Sequence, residues 1–422
     1  MRTLILTGLA ACCLSMTAKA APHEQEIADI AARPDVTRAL AIIDESRDVA
    51  ENWLIELTEI EAPPFKEANR GIYFSHLLEL NGVDEVSTDA EGNVLGRIPG
   101  QGGNSTLAVV AHLDTVFPEG TDVRVRKDGN QYCAPGIGDN GRGLVATLLL
   151  ARAITAAELA HSGDILLVGS VGEEGIGDLR GVRYLLREGG PKIDEFIAID
   201  GGGASRITTR AVGSIRYRLV VRGPGGHSYG AFGLANPAHA LSRAIHYFDD
   251  RAHGYVNAEG AKTTYNIGRI GGGTSVNSIP FENWAEIDMR SPDPDRLAAM
   301  DEILKTAVAK ALDEQNDLRT SGEPLTVEFE RIGYRPAGRT DHGTPLVQRI
   351  MAAMRYHNLE PALREGSTDA NVPMSLGIPA VTIGGGGDTS GAHALHECWT
   401  DDNSETAVKN VLLAVLASVG LR

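Results

Sequence analysis

The chain has 422 residues, 42% of them hydrophobic and 23% charged, a composition that can bury a substantial core and excludes an intrinsically disordered chain. Its 39 Lys and Arg against 56 Asp and Glu give a formal net charge of -17, a field that repels phosphate backbones, so nucleic acid is not expected as a partner. The 49 glycines fall in short runs without a period, which excludes collagen-like chains and solenoids.

Arg2 precedes the apolar stretch Leu4 to Met16, and Ala18-Lys19-Ala20 follows as a small-x-small cleavage signal. This is the pattern of a secretory signal peptide, so a mature chain beginning at Ala21, secreted or periplasmic, is expected. Leu9-Ala10-Ala11-Cys12 also looks like a lipoprotein signal, but cleavage there would leave an unusually short leader, and anchoring at Cys12 is disfavoured. No later segment reaches about 18 uninterrupted apolar residues, so no membrane span is expected. Loss of residues 1–20 removes two cations, Arg2 and Lys19, and no acid, which moves the charge from -17 to -19. Cys133 and Cys398 then remain, too few for a disulfide scaffold, and read as two buried free thiols.

Residues 38–61 have helical apolar spacing, stopped by Pro63-Pro64. A second helix over 66–81 stops at Gly82, and strand-like runs at 93–98 and 106–112 flank a Pro-Gly-Gln-Gly-Gly turn. Helix 143–157, strand 164–170, helix 182–187 and strand 196–199 follow. Alternation with continuous apolar strands predicts an α/β fold, a mostly parallel sheet flanked by helices on both faces. After Gly201-Gly202-Gly203 the rhythm changes to strand 211–222, helix 236–249, strands 262–270 and 281–290, helix 294–315 and strand 325–332. That order is β-α-β-β-α-β, an inserted α+β unit of the ferredoxin-like type. Beyond Pro336, helix 344–357, strand 380–383 and helix 404–419 resume the first style. The expected organisation is a leader over 1–20, a main domain over 21–210 and 334–422, and an inserted lid over 211–333, with a cleft between the lobes.

Five segments carry chemistry: AHLDTVF at 111–117, GIGDNGRG at 136–143, GEEG at 172–175, AIDGGG at 198–203 and GGGGDTSGAHALHE at 384–397. Four sit where a predicted strand runs into a loop, and in an α/β sheet the carboxyl ends of the strands share one edge. His112, Asp114, Asp139, Glu173, Glu174, Asp200 and His393 can therefore meet there. Imidazole and carboxylate ligands suit zinc, cobalt or manganese. Alternation along a strand puts His112 and Asp114 on one face, so Asp114 can support the second nitrogen of the histidine. Glu173 and Glu174 point differently, so one can bind metal while its neighbour handles a proton; two carboxylates this close repel without a cation or a shared proton. Ser170 and Ser228 lie in no Gly-x-Ser-x-Gly elbow, which disfavours serine hydrolysis. Any one of these segments alone reads as solvated acids or a satisfied histidine; five in this order do not.

In this order the segments resemble the co-catalytic zinc exopeptidase family that contains peptidase T, glutamate carboxypeptidase and acetylornithine deacetylase, over nearly the whole mature chain. The resemblance implies two divalent metal ions, zinc first and cobalt or manganese as alternatives. His112 and Asp200 would hold one, Glu174 and His393 the other, with Asp139 bridging and Glu173 as general base. His393 is preferred to His396 because the family places a glutamate four residues after the ligand histidine, and Glu397 stands there. In the lid, GPGGHSYGAFG at 223–233 implies His227 as an oxyanion-stabilising group that often reaches into the partner subunit's site. GGTSVNSIP at 271–280 and AEIDMRS at 285–291 imply Asn277 and Arg290 near the substrate. EGSTDAN at 365–371 resembles a substrate-side loop with Ser367 and Thr368, and reads equally well as a helix cap.

The resemblance further implies a homodimer through the lid and hydrolysis of short peptides by an activated water. Asp200, where glutamate would accompany carboxypeptidases and deacylases, favours an aminopeptidase. GIGDNGRG lacks the aspartate and lysine that follow in peptidase T, so a metallo-carboxypeptidase or an N-acyl amino-acid hydrolase is the alternative, and a non-catalytic peptide- or metal-binding protein the second. Cys133 and Cys398 flank the proposed ligands, and a bridge between them is the alternative to free thiols.

Overall fold

The computed structural model describes residues 22–422; the leader expected over 1–20 lies outside the described residues. A nine-stranded sheet forms the centre of the main lobe. Thr106–His112 runs parallel to Asp164–Ser170 on one side and to Glu195–Ile199 on the other, and Ala380–Ile383 runs parallel to Glu195–Ile199. These strands are apolar on both faces because both are covered. Leu107 and Val109 face a core with Leu144, Leu148, Val411 and Val415 from the helices Arg142–Ala156 and Ser404–Val419. Ala108 and Val110 face a second core with Val182, Leu185 and Met374. Antiparallel strands border this parallel centre, Val94–Ile98 on one side and Arg206–Ala211 on the other.

The inserted lobe has its own core and an antiparallel sheet in the order Thr264–Gly272, Glu282–Ser291, Gly213–Arg222, Thr326–Arg335. Strict alternation along Glu282–Ser291 buries Ala285, Ile287 and Met289 under two helices and leaves Trp284, Glu286, Asp288 and Arg290 on the open face. Both helices, Pro237–Val256 and Pro294–Asp317, begin with proline after a capping side chain, Asn236 and Asp293, that accepts first-turn N–H groups.

The structure departs from the sequence pattern in three places. The helix expected over 38–61 is two helices, Pro34–Glu45 and Arg47–Thr58. Ser46 separates them: its hydroxyl donates to the Ile42 carbonyl at 2.7 Å, the local bonding by which serine competes with helix continuation. The strand expected from 211 is two strands, Arg206–Ala211 in the main sheet and Gly213–Arg222 in the inserted one, the chain changing lobes at Val212. Cys133 and Cys398 are joined in a disulfide, which overturns the reading as free thiols. They face each other across two antiparallel three-residue strands, Gln131–Cys133 and Cys398–Thr400, and strands that short carry no periodic signal.

Candidate active site

Parallel register brings the chemistry to one edge. His112 ends its strand opposite Ser170, the last residue before the loop that carries Glu173 and Glu174, and Asp200 follows directly on Ile199. Asp139 comes from the turn Ile137–Gly141 that opens the helix Arg142–Ala156. Close packing there demands small residues: a Cβ on Gly143 would stand 2.1 Å from Asn140 Oδ1 and 2.6 Å from the Ile199 carbonyl oxygen.

Asp139 lies between two imidazoles. Its Oδ1 is 3.0 Å from His112 Nε2, its Oδ2 is 3.2 Å from His393 Nε2, and His393 Nε2 is also 3.0 Å from Glu174 Oε1. The donor atoms gather into three groups, each with its ligand atoms within 4.8 Å of one another: His112–Asp139–Asp200 and Asp139–Glu174–His393, which share Asp139, and His112–Glu173–Glu174. His393 holds its position with φ 66°, a left-handed conformation uncommon for a residue with a Cβ. His396 is exposed and belongs to none of these groups.

Main-chain groups fix the carboxylates. Glu397 Oε1 accepts from the Gly138 and Asp139 amides and Oε2 from the Gly136 amide, each at 2.9 Å, so this one buried carboxylate cradles the Asp139 turn. Asp114 Oδ1 and Oδ2 accept from the Glu173 and Glu174 amides at 3.0 and 2.7 Å. The expected support of His112 therefore comes from another atom: His112 Nδ1 meets the main-chain oxygen of Asp114 at 3.0 Å, while the Asp114 carboxylate stands 3.7 Å away, committed to the glutamate loop.

Crowding acids at a desolvated edge raises their proton affinity. Burial pushes Asp114 to about 6, burial with the neighbouring Asp139 pushes Asp200 to about 7, and burial holds Glu173 well above its usual range. Asp139 is held low against the effect of burial by hydrogen bonds from His112 and His393, and His393 is pushed to about 10 by Asp139 and Glu174. Oxygen and imidazole donors with excess negative charge and a shared carboxylate fit a pair of divalent cations.

A cleft of about 380 Å³ opens over this edge. The main lobe lines it with Asp139, Glu173, Glu174, Asp200 and His393, the inserted sheet lines it with Arg216 and Arg290, and Arg335 and Ser367 lie beside Glu173. Asp288 sits between Arg216 and Arg290, accepting Arg216 Nε at 2.9 Å and Arg290 Nε at 2.7 Å. The Nη groups of both arginines have no hydrogen-bond partner among the described residues.

Residues 108–417 match the family described as Peptidase family M20/M25/M40. The chain belongs to this family. It is 26% identical over 303 residues to a succinyl-diaminopimelate desuccinylase of Xanthomonas oryzae, covering 67% of this chain and 76% of the relative. It is 25% identical over 339 residues to a putative [LysW]-lysine/[LysW]-ornithine hydrolase of Pyrococcus horikoshii, covering 79% and 87%. The fold is that of aminopeptidase PepT from Bacillus cereus, with a TM-score of 0.71 at 21% identity over 88% of this chain and 98% of that one. Membership makes the chain a metal-dependent hydrolase of peptide or amide bonds, and the family typically uses two metal ions.

Not every residue singled out by the sequence reaches the cleft. Ser367 lines it and accepts from Arg335 Nη1 at 3.1 Å. Thr368 turns away: its hydroxyl is 2.6 Å from that of Thr382 and accepts the Ala370 amide. His227 and Asn277 sit on an exposed pair of short strands and their connection, Gly226–His227 against Ser278–Ile279, and neither lines the cleft of its own chain. Arg216, Arg335 and the cradle role of Glu397 were not anticipated. Arg216 falls in the alternation Arg216, Arg218 of a half-exposed strand and reads as surface; Glu397 was legible only as a marker for His393.

Proposed function

We propose that this chain is an aminopeptidase acting on unblocked di- and tripeptides. The observation that carries the reading is the pair of inserted-lobe guanidinium groups, Arg216 and Arg290, whose free Nη atoms share one cleft with the candidate metal donors. A short peptide presents a terminal carboxylate that the arginine forks can hold, and Asp200, where glutamate would accompany carboxypeptidases and deacylases, favours the aminopeptidase.

His112 and Asp200 would hold one divalent ion, Glu174 and His393 the other, and Asp139 both. The ions, when bound, polarise the scissile carbonyl and acidify water. Glu173 takes the proton of the attacking water and returns it to the departing amine, the work of a general base and acid, and burial holds its proton affinity above the usual carboxylate range. Asp114 keeps the Glu173–Glu174 loop in register through its two amide contacts. Arg216 and Arg290, spaced by Asp288, hold the C-terminal carboxylate. His227 and Asn277, remote from their own cleft, act in this reading from a second copy across a lid-to-lid dimer. Secretion or periplasmic export rests on the leader pattern, and the Cys133–Cys398 bridge is in keeping with an oxidising compartment.

The relatedness to desuccinylases favours a second reading, hydrolysis of N-acyl amino acids. Incubation of the zinc-reconstituted chain with free and N-acetylated forms of one tripeptide separates the two. The aminopeptidase reading expects cleavage of the free form only; equal cleavage of the blocked form contradicts it.

A further inference from the structure

We infer that Arg335 is a positioning residue for Glu173, and that through it the aim of the Glu173 carboxylate depends on the attitude of the inserted lobe. The inference rests on the reading of Glu173 as the proton-transferring group. Arg335 ends the strand Thr326–Arg335, opposite Ser214, and the chain is back in the main sheet by Gly338, which pairs with Ala211. From this crossing point its guanidinium reaches over the lobe boundary. Nη1 donates to Glu173 Oε1 at 2.8 Å and to Ser367 Oγ at 3.1 Å, and Nη2 donates to the Glu173 main-chain carbonyl.

One planar fork thus grips both the side chain and the backbone of the same residue. Both side chains are deeply buried, 8% and 5% exposed, and no other side chain among the described residues hydrogen-bonds the Glu173 carboxylate. Turning that carboxylate away would leave a buried cation unpaired, so the grip is specific to one geometry. The preceding residue is tied to the same loop. The Tyr334 amide donates to Asp178 Oδ1 at 2.9 Å, and Arg183 donates to the Tyr334 carbonyl. Asp178 and Leu179 are held with φ 51° and 62°, conformations that persist only where contacts enforce them. Two consecutive residues of the strand that leaves the inserted lobe therefore hold the segment that carries Glu173. A displacement of that lobe is passed to the carboxylate directly, and a misplacement of about 1 Å at a reacting group costs on the order of 100-fold in rate.

The test uses the full chain reconstituted with zinc, an unblocked tripeptide and the variants Arg335→Ala, Arg335→Lys, Asp178→Ala and Glu173→Gln. Arg335→Ala is expected to lower kcat about 100-fold with KM changed by less than about 3-fold, the signature of a group that acts in the transition state and not in substrate binding. Arg335→Lys, which keeps the charge and loses the fork, should recover about 10-fold of that loss. Asp178→Ala, which touches no reacting group, should lower kcat several-fold in the same sense, and amide hydrogen exchange over 172–183 should speed up in both alanine variants. A raised KM with kcat intact in Arg335→Ala would make Arg335 a substrate anchor and overturn the inference, as would unchanged exchange over 172–183. If Arg335→Ala does not fold, Arg335→Lys decides: a kcat at the wild-type level refutes positioning, and a clear fall supports it. Glu173→Gln separates the two layers. Full activity there removes the base assignment and the inference with it, whereas an inactive Glu173→Gln beside a fully active Arg335→Ala removes the positioning role alone.

Discussion

The two lobes bring charge to the same cleft by opposite means. On the main lobe, His112, Asp114, Glu173 and Glu174 are buried, and their polar atoms are held by main-chain groups, by Asp139 and His393, and, for the Glu173 carboxylate, by Arg335. On the inserted lobe, Arg216 and Arg290 stand half-buried on an open sheet face, each held by one bond to a single carboxylate. A buried network fails when one member goes, because its neighbours are left desolvated and unpaired; a half-exposed pair loses only what it binds. The acidic edge should therefore be brittle and govern whether the reaction occurs, and the arginine face tolerant and govern which molecule enters.

The sharpest way to break this comparison is Asp139→Ala, which removes the carboxylate shared by the His112–Asp139–Asp200 and Asp139–Glu174–His393 groups. It should abolish retention of two zinc ions and lower kcat by roughly 1000-fold or more. Metal analysis after dialysis checks it; a variant that keeps two ions would deny Asp139 its shared role. Next comes Glu397→Ala, which strips three amides, that of Asp139 among them, of their acceptor without removing a proposed ligand. Zinc affinity should fall about 10- to 100-fold, the usual cost of losing an orienting group outside the ligand set, as read by competition with a chelator. On the other wall, Arg216→Ala should raise KM for a free tripeptide about 10-fold, leave kcat within about 2-fold and leave the thermal midpoint unchanged. A large loss of stability there would place Arg216 with the brittle side.

The smallest effect concerns proton linkage in the metal-stripped chain. Burial raises Asp114 to about 6 and Asp200 to about 7, above the ordinary unfolded value near 3.9. The folded state then holds protons that the unfolded state has released. This stabilisation is fully present below about pH 4 and is lost as pH rises through about 6 to 7. The thermal midpoint of the stripped chain should fall by a few degrees between about pH 5 and pH 8, and added zinc should raise it more at the higher pH. A stripped chain more stable at the higher pH would contradict the crowding of acids at this edge.

The same contrast explains what could be read in the sequence. The acidic edge was legible because its residue types are scarce at strand ends: His112 closes an apolar strand, Asp200 follows one, and the Glu173–Glu174 pair begins three residues beyond a third. Parallel topology then dictates that they meet. The arginine wall was only partly legible. Arg290 came from a motif, but Arg216 is one of several arginines in an alternating strand, and only cross-strand register sets it beside Asp288. Arg335 carries no local signal, because its partner lies 162 residues earlier and the contact exists only where the lobes join. The break at Ser46 and the three-residue strands around the Cys133–Cys398 bridge were missed for a similar reason: one is a single side-chain bond inside a helical pattern, the others are shorter than any period.

The division of labour between the walls is tested most directly by a substrate–variant cycle: kcat and KM of the zinc-loaded wild type and of Arg216→Ala on one tripeptide with a free and with an amidated C-terminus. If the arginine face binds the carboxylate, amidation raises KM about 10-fold for the wild type, changes KM little for Arg216→Ala, and leaves kcat nearly constant throughout. An equal penalty for amidation in both proteins would contradict the account.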